Sequence, residues 1–218
     1  MHGTSWRNAR TLALSAALAI ALAAPVAAAG PVTPISTGAT GAGAATVSSF
    51  YNVLLDTMRN GPSLGQAGRY AQLAPAVQRD FNIPYMAQLA VGPAWAGLND
   101  AQKRQVTQAF ERYVAAVYAD RFDNYAGEQL QVIGEQPSAY GTMVQTRIVK
   151  SNGEPVSINY LLVNNGGRWQ IGDVYLNGSI SELATRRSEF ASILRTQGVD
   201  GLIATLNTKT STLVPSRS

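Results

Sequence analysis

Residues 155–176 read PVSINYLLVNNGGRWQIGDVYL. Val156, Ile158, Tyr160 and Leu162 recur at every second position, and Trp169, Ile171, Asp173 and Tyr175 repeat the pattern. A period of two points to strands that present one face inward. Between the runs, Asn165-Gly166 supplies residues that accept positive φ, the requirement of a tight hairpin turn, so the two strands pair antiparallel. Asn152-Gly153 marks a second hairpin just upstream. Residues 128–136 and 140–150 read as the preceding strands, and the meander is expected to run 128–136, 140–150, 155–164 and 168–176.

Helices are expected on both sides of it. Val47, Phe50, Tyr51, Leu54, Leu55 and Met58 share one helix face, and Asn60-Gly61-Pro62 ends that helix. Residues 64–74 read as a short second helix. A third opens at Asn82-Ile83-Pro84, with proline suited to the first turn, and stops at Gly92-Pro93. Asn99, with Gln102 three residues on, opens the longest helix as a capping box. Val106, Phe110, Tyr113, Val114, Val117 and Tyr118 line its apolar face to about Phe122. After the meander, residues 180–197 read as a helix with Ile180, Leu183, Phe190, Ile193 and Leu194 inward. Gly198 ends it, and a shorter helix with Leu202, Ile203 and Leu206 follows. Helices, then a meander, then helices is an α+β layout, with helices packed on one face of a curved antiparallel four-stranded sheet.

The N-terminus has a different character. Arg7 and Arg10 precede an apolar run from Leu12 to Ala24, Pro25 breaks it, and Ala27-Ala28-Ala29 supplies small residues for a signal peptidase. This is the order of a secretory signal peptide, and the run is shorter than the roughly 20 residues that span a bilayer. Residues 1–29 are therefore expected to be cleaved, with the mature chain in the periplasm. Residues 30–45, rich in Gly, Pro, Thr and Ala, read as a flexible leader. Residues 46–208 read as one domain and 209–218 as a loose tail.

Composition narrows the chemistry. The chain has 17 Lys and Arg against 13 Asp and Glu. Removing residues 1–29 takes Arg7 and Arg10 and no acid, leaving 15 against 13. The remaining basic residues are scattered, with no run longer than a pair such as Arg186-Arg187, so no nucleic-acid footprint is expected. There is no cysteine, and the only histidine, His2, lies in the signal. That excludes Ser-His-Asp and Cys-His catalysis and the usual transition-metal ligand sets other than carboxylates. No P-loop or dinucleotide fingerprint occurs. Asp120 and Asp123 flank Arg121 at a helix end and read as solvated. Glu135 and Asp173 lie in strands, where a buried carboxylate acts as a general base if a substrate reaches it.

Two segments carry a resemblance. The first is residues 80–110, DFNIPYMAQLAVGPAWAGLNDAQKRQVTQAF. The second runs from Gly153 to Ile203, with Gly-Glu-Pro-Val before a strand and Arg168-Trp169-Gln170-Ile171-Gly172-Asp173-Val174 within the next. Asn177-Gly178, then Arg187 and Phe190, then Gly198-Val199-Asp200-Gly201-Leu202-Ile203 follow. Their order and spacing resemble the MlaC family of periplasmic lipid-binding proteins, also called toluene-tolerance proteins. The resemblance implies an α+β domain with a deep apolar pocket between sheet and helices. It also implies a phospholipid cargo carried between an outer-membrane lipoprotein complex and an inner-membrane ABC transporter with a lipid-binding ring subunit, and no cofactor. Residues 181–190, SELATRRSEF, look more like the branch associated with hopanoid biosynthesis, which makes hopanoid the alternative cargo.

A pocket needs apolar side chains, and twelve are singled out. The helices offer Tyr85, Leu89, Trp95, Phe110, Val114 and Tyr118, and the sheet offers Val144, Ile148, Tyr160, Leu162, Trp169 and Val174. Arg147 and Lys150 are candidates to lie near a lipid headgroup. Two other classes of function stay open. An isomerase or hydratase using Asp and Tyr requires a buried Asp with a raised pKa in a closed pocket. A ligand-free adaptor requires a filled core.

Overall fold

The computed structural model describes residues 41–215. The expected signal peptide, most of the expected leader and residues 216–218 lie outside them. Five helices and five strands follow in order: α1 Ala42–Arg59, α2 Gly61–Asp80, α3 Ile83–Val91, α4 Asp100–Arg121, β1 Gln129–Ser138, β2 Gly141–Val149, β3 Pro155–Asn165, β4 Arg168–Leu176, β5 Ile180–Ser181 and α5 Glu182–Leu213. A 3₁₀ turn, Gly92–Gly97, joins α3 to α4. This is the α+β layout expected, with one strand more.

The sheet is an antiparallel meander in the order β1-β2-β3-β4-β5. Its register breaks at Val132/Gly134 in β1, and again beside Leu161/Leu162 of β3, where Gly172 of β4 is the extra residue. Bulges bend and twist a strand, so both curve the sheet. The extra strand arises because Asn177 and Gly178 take φ of 50° and 80°, the left-handed centre of a tight turn closed by the Ser179 N–H on the Leu176 carbonyl at 3.2 Å. The chain therefore folds back, and Ile180 and Ser181 pair with Leu176 and Tyr175 before the helix starts.

The helical expectations hold with shifted ends, except that Ile180, expected on the inward face of the last helix, lies in β5 and is 52% exposed. Asn99 and Gln102 form the reciprocal capping box at 2.9 and 3.0 Å, and α4 buries Val106, Phe110 and Tyr113 as its spacing requires. α1 begins at Ala42, inside the stretch expected to be leader. α2 spans 61–80 rather than 64–74, bent at Gly65. Its buried residues include Ala76 and Gly61, too small to register as a hydrophobic stripe. α5 breaks at Gly198, as expected, but continues to Leu213, into the stretch expected as a tail.

α1 lies across β1, β2 and β4, and α4 packs between α2 and α5. The core sits between this helical layer and the sheet face formed by Val144, Ile148, Tyr160, Leu162 and Ile171, all at most 1% exposed. Among the described residues, no helix is long and apolar enough to cross a membrane.

Candidate functional site

The space between sheet and helices is filled with rings and hydroxyls. Phe50 meets Phe81 and Tyr118 edge-on at 5.0 Å each, Phe81 meets Tyr118 at 5.6 Å, and Tyr118 stacks on Phe122 at 5.8 Å. Tyr51 meets Tyr160 edge-on at 5.8 Å, and its hydroxyl lies 2.7 Å from Thr146 Oγ1. Thr146 in turn donates to the Ile158 carbonyl. Buried polar groups without partners are expensive, so this chain of hydroxyls needs each link. Burial pushes the Tyr51 phenol up to about 12 and raises those of Tyr118 and Tyr160 well above the usual tyrosine range, so all three stay neutral.

The twelve residues singled out from the sequence do not line one cavity here. Phe110, Val144, Ile148, Tyr160 and Leu162 are buried in the core, and Trp95, Val114, Tyr118, Trp169 and Val174 are half-buried against it. The first turn of α1 covers two of the sheet residues directly. A Cβ on Gly43 would stand 3.3 Å from both Leu162 and Val144, so a side chain there would make these neighbours give by a few tenths of an ångström. Tyr85 reaches the β4 bulge, where a Cβ on Gly172 would be 3.0 Å from its ring and from Val163. Leu89 alone of the twelve is exposed, at 38%.

The two carboxylates weighed as general bases are engaged in helix capping. Glu135 accepts a 2.7 Å bond from the Ala44 N–H in the first turn of α1. Asp173 accepts from the Val174 N–H at 2.7 Å, the Ser181 hydroxyl at 2.6 Å and the Leu183 N–H at 3.3 Å, tying β4 to the start of α5. Burial raises its pKa, and these three donors offset part of the rise. An orphan N–H at a helix start favours a carboxylate. Both acids thus have a structural use that needs no substrate. Asp120 is exposed at the end of α4, as expected. Among the described residues, no cluster of acids could hold a metal ion.

The two basic residues weighed for a headgroup make local contacts on the sheet. Arg147 is exposed on the sheet face away from the helices and donates to Gln131 at 3.0 and 3.3 Å. Lys150 pairs with Glu154 at 2.9 Å across the β2–β3 turn.

Leu89 belongs to a different feature, a groove of about 400 Å³ between α3 and α5, lined also by Leu183, Ala184, Arg187, Ser188 and Ala191. Sequence reasoning missed this seam as a unit. The available signal was the small-residue stripe Ala184, Ser188 and Ala191, at spacings of four and three along α5, which cannot fill the space opposite α3.

Helices layered over one face of a curved antiparallel meander, with an apolar interior and an open seam at its side, define the class of α+β domain to which this chain belongs. The family model described as MlaC protein matches residues 49–208, and the chain belongs to that family. A solved structure is similar over 78% of this chain and 98% of its own, with 22% identity and a TM-score of 0.66. It is a phospholipid-binding protein from Ralstonia solanacearum in complex with a phospholipid. At that identity the likeness shows the fold.

Proposed function

We propose that this protein is a periplasmic carrier that holds a phospholipid by its acyl chains and performs no reaction. It is exported by cleavage after Ala29 and passes lipid between an outer-membrane lipoprotein complex and an inner-membrane ABC transporter with a lipid-binding ring subunit. Membership of the MlaC family carries the reading. The phospholipid-bound relative of the same fold supports the cargo class. The engagement of Glu135 and Asp173 as caps weighs against an isomerase on this fold.

A carrier is physically sufficient without catalysis. Burying about 30 methylenes at about 0.8 kcal/mol each exceeds 20 kcal/mol relative to water. That is beyond the practical ceiling of affinity, about 18–21 kcal/mol. The lipid starts in a bilayer, already out of water, so the protein has only to match that environment. Release then needs a partner with an equal or better apolar site. The aromatic layer is closed in this conformation, so accepting chains between sheet and helices requires Phe50, Tyr118 and their neighbours to move apart.

Native mass spectrometry of the mature protein, purified from periplasm without detergent, tests the reading. A mass increment that extracts as phospholipid is the expected result. A hopanoid increment would keep the carrier and change the cargo. A bare protein mass that persists after incubation with phospholipid vesicles would overturn the carrier in favour of an adaptor.

A further inference from the structure

The adjacent arginines of α5 have opposite surroundings. Arg186 pairs with Glu182 at 3.7 Å and Glu189 at 3.4 Å, and its guanidinium lies 5.2 Å from the Tyr113 ring centre. Lys209 pairs with Glu189 as well. Arg187 sits about 100° further round the helix, where the positions three and four away are Leu183, Ala184, Phe190 and Ala191. Opposite it, α3 and the 3₁₀ turn, residues 83–97, contain no charged side chain. Arg187 accordingly has no hydrogen bond or ion pair among the described residues, and its rigid fork of five donors is open to the groove.

The side chain is exposed and lies alongside the end of α3. Its Nε lies 2.7 Å, and its Cζ 3.2 Å, from where a Cβ on residue 92 would stand. Gly92, at φ +69°, ends α3, so the guanidinium rests against the negative end of that helix. A cation without a charged partner thus borders a groove whose floor is Leu183 and whose exposed walls include Leu89, Ala184, Ser188 and Ala191.

We propose that this α3–α5 groove is the foothold for the lipid, with Arg187 holding the phosphate of a glycerophospholipid while its first methylenes lie on the floor. The inference rests on the carrier reading and names the part of the cargo that is recognised. Charge and shape both fit. Guanidinium matches phosphate through paired donors, and the remaining lining is apolar or hydroxylic. The volume suits a drug-sized ligand, about 300–1,000 Å³, and not two full acyl chains. The chains must therefore continue inward. Leu183, on the groove floor and 4% exposed, is also part of the core, so the way in passes beside it. Arg187 on this account discriminates a phosphate-bearing lipid from a neutral one of the same chains.

The test loads mature, delipidated protein from neutral vesicles containing a small fraction of either phosphatidylglycerol or dioleoylglycerol, and measures the lipid retained after the vesicles are removed. Arg187→Gln should lower phosphatidylglycerol uptake about tenfold, the size expected for one charge-assisted hydrogen-bonded contact, and change diacylglycerol uptake less than twofold. Arg187→Lys, which keeps the charge but not the paired donors, should restore only part of the loss. Arg104→Gln, the same charge change on an exposed site of α4, should match the wild type and so remove general attraction to the vesicle as the cause. Unchanged phosphatidylglycerol uptake in Arg187→Gln, or an equal loss for both lipids, would overturn the foothold while leaving the carrier intact. Wild-type protein that takes up neither lipid would bring down the carrier reading, and the foothold with it.

Discussion

The two sides of the helical layer are built differently. Where α1 crosses the sheet, large side chains meet: Phe50, Tyr51, Leu54 and Met58 from the helix, Tyr160, Leu162 and Ile148 from the strands, all at most 3% exposed. Where α3 faces α5, small residues and one long cation meet, and a groove remains. Each region lies beside the same core. The difference is side-chain volume: close packing follows only where the residues on both surfaces can fill the space between them. The sealed side holds the close packing of large side chains, and the open side leaves space that the small residues of α5 do not fill.

The largest expected effect breaks the sealed side. Phe50→Ala removes a ring packed against Phe81 and Tyr118 and should cost about 3–5 kcal/mol in urea or thermal unfolding. A loss below about 1 kcal/mol would mean that this layer collapses or is loosely packed even at rest.

Next in size is the cap that fastens α1 to the sheet. Glu135→Ala leaves the Ala44 N–H without its carboxylate and should destabilise by about 1–2 kcal/mol. Glu135→Gln, which keeps an acceptor, should recover part of the loss. Equal stability of both variants and the wild type would show that solvent caps α1 just as well.

Asp173 sharpens the comparison through pH. Its folded pKa is raised above 3.8 by burial, so between that value and the raised one the folded protein holds a proton that the unfolded chain has lost. Its contribution to stability is therefore greatest at acid pH, declines as pH rises through this window and is level above it. Unfolding titrations of Asp173→Asn should lack that component of the slope. A slope unchanged by the substitution would assign it to other groups.

The smallest effect on stability belongs to the open side. Leu89→Ser on the exposed wall of the groove should shift unfolding by no more than about 0.5 kcal/mol, as for a typical surface change. Lipid retention should nevertheless fall. A variant that loses stability like a core mutant would show that the groove closes over Leu89 in solution.

Much of the architecture was legible in the residues. The alternation of 156–162 and the Asn99 capping box each carry their own local cause and appear as read, and both hairpin turns fall where expected, with the positive φ at Gly153, Gly166 and Gly167 rather than at the asparagines. The alternation of 169–175 holds only to Ile171: the bulge at Gly172 turns Asp173 and Tyr175 to the other face, opposite Leu161 and Asn159, and brings Val174 opposite Tyr160. The β5 hairpin was also written locally, in Asn177-Gly178, but two residues are too few to show a period. The candidate site was harder. Val144 and Leu162 have the alternation of inward residues, which a pocket wall and a sealed core share. What distinguishes them is the approach of Gly43, from the far end of the domain.

By itself the sequence determined the α+β class, the antiparallel meander, the absence of cysteine and histidine chemistry beyond residue 2, and the resemblance that leads to the family. These depend on periods, turns and residue types, which act over a few neighbours. Only the tertiary structure decided that Glu135 caps a helix begun more than ninety residues earlier, that Asp173 anchors α5, and that Arg187 rests unpaired against Gly92. Each of those depends on which surfaces meet across the fold, and packing between distant segments leaves no periodic mark in either one.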